Sequence, residues 1–389
     1  MNARTLLVFV VCLLIAGATF AAGQSRPATT IVLLPVENLT GATDGEREAM
    51  TLLAHALEQK GWSVAQGNDV AAILEKERAR YLDSLDERTR LALVENLRAA
   101  AVLSAVLYTY RDGRGPVVAL SARMVRADGT LAWGDVAGFG GDDIPRVLGF
   151  GPEPDAALLL ARAIRKLMLT FPAPASEAAS GRTRAKPFFL GEPMSYRAAD
   201  VDPARPHRVC ILPFDNLTTT LPASRIVADV LAVRLGASAT FEVVEPATLR
   251  AAAAKAGITT FRQITNEHLR RLAPAVGTTL FVKGTIFDFV DPSGRTGGDP
   301  EVQLELTLLD AEHERVLWSA QHARKGSEYT GLLLLGAVSS AVSLTDRVIA
   351  EMIEAGTRPA ARGEAAVTAN GARRTPEKHS ALRGRGQQP

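Results

Sequence analysis

Cysteine is almost absent from this chain of 389 residues, with only two present. That excludes a disulfide scaffold and a thiolate metal cluster. Charge of one sign is also missing: 44 Lys and Arg face 42 Asp and Glu, a net +2, so nothing electrostatic points to nucleic acid. Aromatics make up only 5%, while the hydrophobic fraction, 47%, is ordinary. The bulk of the chain is therefore neither disordered nor a multispanning membrane protein. At roughly 100–200 residues per domain, the length suggests two or three domains.

The long apolar run that does occur is N-terminal. Arg4 is followed by Leu6–Ala18, apolar apart from Cys12, and then by Thr19-Phe20-Ala21-Ala22-Gly23. A short basic region, an apolar stretch and a small-residue exit are the parts of a secretory signal peptide. The expectation is a leader over 1–22, with an uncleaved anchor as the competing reading. A periplasmic address follows, with association at the outer membrane left open. Cys12 sits mid-run and cannot serve as a lipobox cysteine, so a lipoprotein is not expected. Cys210 lies in an apolar strand and reads as a small buried hydrophobe.

An internal repeat is the strongest signal. Thr30-Ile31-Val32-Leu33-Leu34-Pro35-Val36-Glu37-Asn38-Leu39-Thr40 returns as Arg208-Val209-Cys210-Ile211-Leu212-Pro213-Phe214-Asp215-Asn216-Leu217-Thr218. Each copy reads as a buried strand ended by Pro35 or Pro213, which lacks the N–H that pairing needs. Asn38 and Thr40, like Asn216 and Thr218, are turn and capping residues. Helices are expected next over Glu46–Lys60 and Ala223–Leu235, then strands Trp62–Ala65 and Phe241–Val244. Two helices follow in each copy, Asp69–Tyr81 with Glu87–Ala99, and Pro246–Ala256 with Asn266–Val276. The period then becomes 2 over Ala101–Tyr110, Val117–Val125 and Thr130–Ala137, with a hairpin at Asp128-Gly129. Thr279–Val290, Val302–Leu309 and Arg315–Ala323 read alike, with Trp133 and Trp318 in matching places. Closing helices are expected over Ala156–Leu169 and Gly331–Glu354.

The fold class is thus α/β: two tandem three-layer domains, each a mixed sheet in the order β-α-β-α-α-β-β-β-α covered by helices. The expected boundaries are 28–171 and 207–356, joined by a linker over 172–206 with a short extended stretch at Phe188–Leu190. A disordered tail, 357–389, carries Arg358, Arg362, Arg373, Arg374, Lys378, Arg383 and Arg385 against two acidic residues. It could touch anionic lipid or an anionic polymer, in a salt-dependent way.

The Leu-Pro-Phe-x-Asn signature at Leu212–Asn216, with the amphipathic helix and Phe241-Glu242-Val243-Val244 strand after it, resembles a group of bacterial envelope domains. The group comprises CsgG-like, TolB N-terminal-domain-like and LpoB-like proteins. The resemblance is strong over about 40 residues of the second copy; the first copy is more diverged. It implies a three-layer α/β domain that binds or assembles with other envelope proteins and has no catalytic site. The chain departs from the group in having no lipobox. Its excursions at Asp291–Pro300 and Arg111–Gly115 are too short to make the secretion channel's membrane hairpins.

Catalytic and metal signals are weak. His55, His207, His268, His313, His322 and His379 never fall at a metal-ligand spacing, although His313 and His322 bracket the Trp318 strand. Gly138-Phe139-Gly140-Gly141-Asp142-Asp143 lacks a phosphate-cradling pattern and reads as a flexible connection. It remains the place where an enzyme, for example a hydrolase, would work. No catalytic residue, metal or cofactor is expected. Gly331–Thr345, fifteen residues without a charge, is expected to be a helix on the sheet. Its Leu332, Leu335, Gly336 and Ser340 are the candidate interaction surface, together with the sheets' edge strands. The partners expected are other envelope proteins, with self-association and membrane-surface contact left open, and no nucleic acid. A subunit of a secretion or transport assembly is the alternative role.

Overall fold

Thr30–Leu33 (β1) lies between two parallel neighbours, Ser63–Ala65 (β3) and Ala101–Arg111 (β4), with apolar Ile31, Val32 and Leu33 fully buried. The computed structural model describes residues 30–113, 115–143, 155–174, 191–198, 205–238, 240–291, 299–330 and 338–357. The expected leader, the stretch Phe188–Leu190, the tail beyond Thr357, and Leu332, Leu335 and Gly336 lie outside the described residues.

Pro35 interrupts pairing without ending it. Glu37–Asn38 (β2) rejoins β4 in parallel at Val106 and Leu107, because the imino acid removes one donor while the chain keeps one neighbour. Thr43–Gln59 (α1) then leads to β3. Asn68–Lys76 (α2) stops sooner than its periodicity suggests, since Arg78 adopts φ 56°, a left-handed conformation no helix continues through. Glu87–Asn96 (α3) is capped by Asp86, whose side chain accepts the Thr89 N–H at 2.8 Å. The strands β4, Val117–Arg126 (β5) and Leu131–Gly140 (β6) form an antiparallel meander. The expected hairpin is present: Gly129 takes φ 88° and Asp128 accepts the Thr130 N–H. Ala156–Met168 (α4) follows, capped by Asp155.

Met194–Arg197 (β7) lies within the stretch read as a linker and pairs antiparallel at the edge of the second sheet. The second series is His207–Ile211 (β8), Asp215–Asn216 (β9), Ala223–Gly236 (α5), Phe241–Val243 (β10), Pro246–Lys255 (α6) and Asn266–Val276 (α7). Leu280–Val290 (β11), Glu301–Asp310 (β12), Arg315–Lys325 (β13) and Ala341–Thr357 (α8) complete it.

The sheets run β3-β1-β4-β5-β6 and β10-β8-β11-β12-β13-β7, with β2 on β4 and β9 on β11. Their registers correspond. Leu33, Leu103, Met124 and Trp133 are successive partners in one, as Ile211, Val282, Leu308 and Trp318 are in the other. The irregularities correspond too, at Leu107/Thr109 and Ile286/Asp288 and again at Met124/Val125 and Leu308/Leu309.

Helix α4 is amphipathic and, with α1, covers one face of the first sheet. Helix α5 is different: Ile226, Val227, Asp229, Val230, Leu231, Ala232 and Val233 are all buried around its circumference. A helix buried on so many sides has to be covered on most of them. Here α5 and α8 lie between the two sheets, sharing one core with Val106, Tyr108, Ala119 and Val136 of the first sheet and Val282, Ile286, Leu304 and Leu306 of the second. Smaller clusters hold α2 and α3 on β1, and α6 and α7 on β8. Thus one helical layer serves both sheets.

Candidate functional site

The two turn motifs are built alike. Asn38 Oδ1 accepts the Thr40 N–H at 2.9 Å and the Thr40 hydroxyl at 2.7 Å, and the Asn38 amide donates to Ala42 O at 2.9 Å. Asn216 does the same with Thr218 and Thr220 at 3.0, 2.8 and 2.9 Å. These residues position helix starts, and their side chains are used up in doing so.

The densest set of buried ionisable groups joins the halves. Arg225 on α5 holds Glu37 of β2 bidentately and lies 3.4 Å from Asp83 and 3.7 Å from Asp229. Tyr108 O–H donates to Asp229 at 2.9 Å and shares a 2.7 Å hydrogen bond with Ser121. Arg123 donates to Asp83 O at 2.5 Å. Beside it, Ser84 Oγ donates to Glu245 at 2.9 Å and accepts the Ala247 N–H, while Arg250 donates to Ser84 O at 2.7 Å. Burial pushes the Asp229 carboxyl up, Arg123 and Arg225 pull it back, and the net direction is upward. Charges so enclosed persist because each meets an opposite charge or a hydrogen bond.

A second cluster lies within the later half. Glu351 on α8 accepts from Arg324 at 2.8 Å and from Tyr329 at 2.7 Å, and shares a 2.7 Å bond with His322. Burial opposes its ionisation, but the hydrogen bonds from His322 and Tyr329 and the Arg324 charge outweigh it and bring the carboxyl down to about 2. His313 is paired instead with Asp310 at 2.7 Å, in the turn before β13. His313 and His322 therefore stand toward opposite ends of β13, some tens of ångströms apart at ~3.3 Å per residue, and do not face each other. His55 is exposed on α1, His207 lies in β8 and His268 caps α7; His379 lies outside the described residues. Among the described residues no group of three potential metal ligands gathers.

Gly138–Asp143 is not a flexible connection. Gly138 and Gly140 belong to β6, and Gly141–Asp143 is a 3-10 turn. The physical reason is close approach: a Cβ at Gly138 would sit 2.5 Å from Ser340 Oγ. Gly140 N–H donates to Asp143 at 2.7 Å and to Ser339 at 2.9 Å, Ser339 O–H donates to Asp143, and Ser343 O–H donates to Gly138 O at 2.9 Å. Burial raises the Asp143 carboxyl, while Asp142 is exposed. Ser340, fully buried against Gly138, takes part in the contact between the halves. Cys210 is buried and its thiol is pushed up to about 12, as an inert structural cysteine is.

Open surfaces remain among the described residues. A cleft of about 820 Å³ runs between α3 and α6, floored by Leu91, Ala92, Ala247, Ala251 and Ala252 and edged by Glu87, Glu95 and Lys255. At one end of the second sheet Leu217, Leu221 and Val290 are exposed, brought near one another by the Thr220 O–H bond to Phe289 O. Sequence reasoning missed Arg123, Asp229 and Tyr108. The signal available was a charged residue inside an otherwise apolar strand or helix, as in Ala122-Arg123-Met124.

No helix of the described residues is long and apolar enough to cross a membrane. No family model and no curated protein matches this sequence. Among solved structures it is similar to the PelC dodecamer from Paraburkholderia phytofirmans, at 20% identity and a TM-score of 0.28, over 42% of this chain and 95% of that one. It is also similar to the lipoprotein GNA1162 from Neisseria meningitidis, at 16% identity and 0.26, over 36% and 97%. The LpoB C-terminal domain from Salmonella enterica aligns at 17% identity and 0.24, over 31% of this chain and 90% of its own length.

Proposed function

We propose that the chain is an exported, non-enzymatic envelope protein that binds other envelope proteins as a scaffold. In this reading it is two copies of one CsgG/TolB N-terminal-like domain, over 28–171 and 207–356, bridged by 172–206 and followed by a basic tail. One observation carries the reading. The buried ionisable groups around Asp229 and Arg225 are spent on one another across the halves, whereas the open α3–α6 cleft is floored by alanine and leucine. Such a floor suits a packed side chain or helix and offers no nucleophile–base pair.

The test is a reporter phosphatase fused after Thr357, which is active only outside the cytoplasm, combined with in-cell crosslinking from the cleft. The reading expects an active reporter, and crosslinks to envelope proteins that disappear in Leu91→Arg and Ala251→Arg variants. A silent reporter, or crosslinks indifferent to both substitutions, would overturn it. The secretion-subunit alternative predicts large rings in detergent. The hydrolase alternative predicts that Asp142→Ala with Asp143→Ala abolishes small-substrate binding while the fold survives.

A further inference from the structure

The contact that joins the two halves has an open counterpart on the outside of the molecule. Pro35–Leu53 and Pro213–Leu231 align without a gap, so α1 and α5 correspond position by position. Arg47 stands where α5 has Arg225, Thr51 where it has Asp229, His55 where it has Val233, and Glu58 where it has Gly236. The sheet registers make the same match: Asp215 for Glu37, Glu305 for Ser121, Ser319 for Gly134, and Val316 for Leu131.

Inside the molecule these positions meet. Arg225 grips Glu37, Asp229 binds Tyr108 beside Ser121, Val233 lies over Gly134, and Gly236 lies against Leu131. Outside, the counterparts on α1 are exposed, and those on the second sheet are half-buried at Asp215, Glu305 and Ser319 and exposed at Val316. Arg47, Thr51, His55 and Glu58 are exposed along one side of α1, and Arg47 sits in solvent 3.4 Å from Asp44. On the second sheet, no described helix packs across the outer side of β11–β13 as α5 and α8 pack on the first. The neighbouring turn tells the same story. Leu39 is packed against the shared core, but its counterpart Leu217 is 59% exposed and Leu221 is 89% exposed.

We propose that the exposed α1 face of one copy docks on the outer β11–β13 face of a second copy, Arg47 on Asp215 and Leu217 in contact, repeating between molecules the junction that exists within each. The contact is heterologous, so each bound copy leaves one face open for another. His55 and Glu58 are polar where Val233 and Gly236 make apolar contacts, so the association is weak and depends on salt. The inference does not rest on the envelope reading: it concerns purified copies of the chain, and would hold or fail wherever the protein resides.

Sedimentation velocity of the full chain tests it. At ~50 mM salt the expected result is association that grows with concentration, and at ~300 mM salt a shift back toward monomer. Arg47→Ala, at an exposed residue, and Asp215→Ala, at a half-buried one, should each weaken association roughly tenfold. An equimolar mixture of the two variants should stop at dimers, because the intact Arg47 of one meets the intact Asp215 of the other and each dimer then has no unaltered face left. A monomer at ~100 μM in low salt, association undiminished by both substitutions, or a mixture that yields no dimer or grows well beyond it would each overturn the proposal.

Discussion

Glu351 sits among His322, Arg324 and Tyr329, and its worth comes from their being buried with it. Removing the charge leaves buried Arg324 to Glu328, 3.4 Å away and partly exposed, and takes the charged acceptor from His322, the costly way to break a buried pair. Glu351→Gln should therefore lower stability by about 3 kcal/mol in chemical denaturation. The carboxyl is held down to about 2 in the folded protein, so its contribution is full above the unfolded value of ~4.3 and is lost as pH falls from there toward 2. In Glu351→Gln that part of the acid dependence should disappear. Asp229 has the opposite sign. Its folded carboxyl is raised by burial, so its stabilising contribution is present below ~3.9 and lost as pH rises through the folded value. Asp229→Asn keeps an acceptor for Tyr108 without the charge, and its stability relative to the parent should grow as pH is raised from about 4 to 8; a constant difference would show that Asp229 ionises freely. The Asn38 and Asn216 turns were legible in the sequence because their bonds are local. Arg123 and Asp229 were not, because a charge in an apolar run reads as a solvated position until a distant partner is known.

Elements with strong local signals appear close to where the sequence puts them: α6 starts at Pro246, the hairpin turns at Asp128-Gly129, and α7 spans Asn266–Val276. The differences arise where long-range contacts take over. β2 rejoins β4 beyond Pro35, β7 is recruited from a polar stretch onto β13, and Gly138 and Gly140 are drawn into β6 by the serines before and at the start of α8. No local pattern announces a four-residue edge strand of sequence Met-Ser-Tyr-Arg or a glycine chosen to let another segment approach. Gly138→Ala places a methyl 2.5 Å from Ser340 Oγ. It should cost about 1–3 kcal/mol and speed proteolysis between β6 and α8. An unchanged cleavage rate would mean that the serines move aside freely.

The molecule as a whole is two sheets bound to one middle layer. Apolar residues of both sheets and of α5 and α8 form a single core, and Arg225, Asp229 and Tyr108 lock the first sheet to α5 with directional bonds. Proteins whose domains share a core unfold together, whereas domains on a linker melt separately. Differential scanning calorimetry of the full chain, alone and with Arg225→Ala, tests this most directly. The shared layer predicts one transition, with matching calorimetric and van't Hoff enthalpies, that moves down as a unit in the variant. Two separate transitions, of which Arg225→Ala shifts just one, would contradict it.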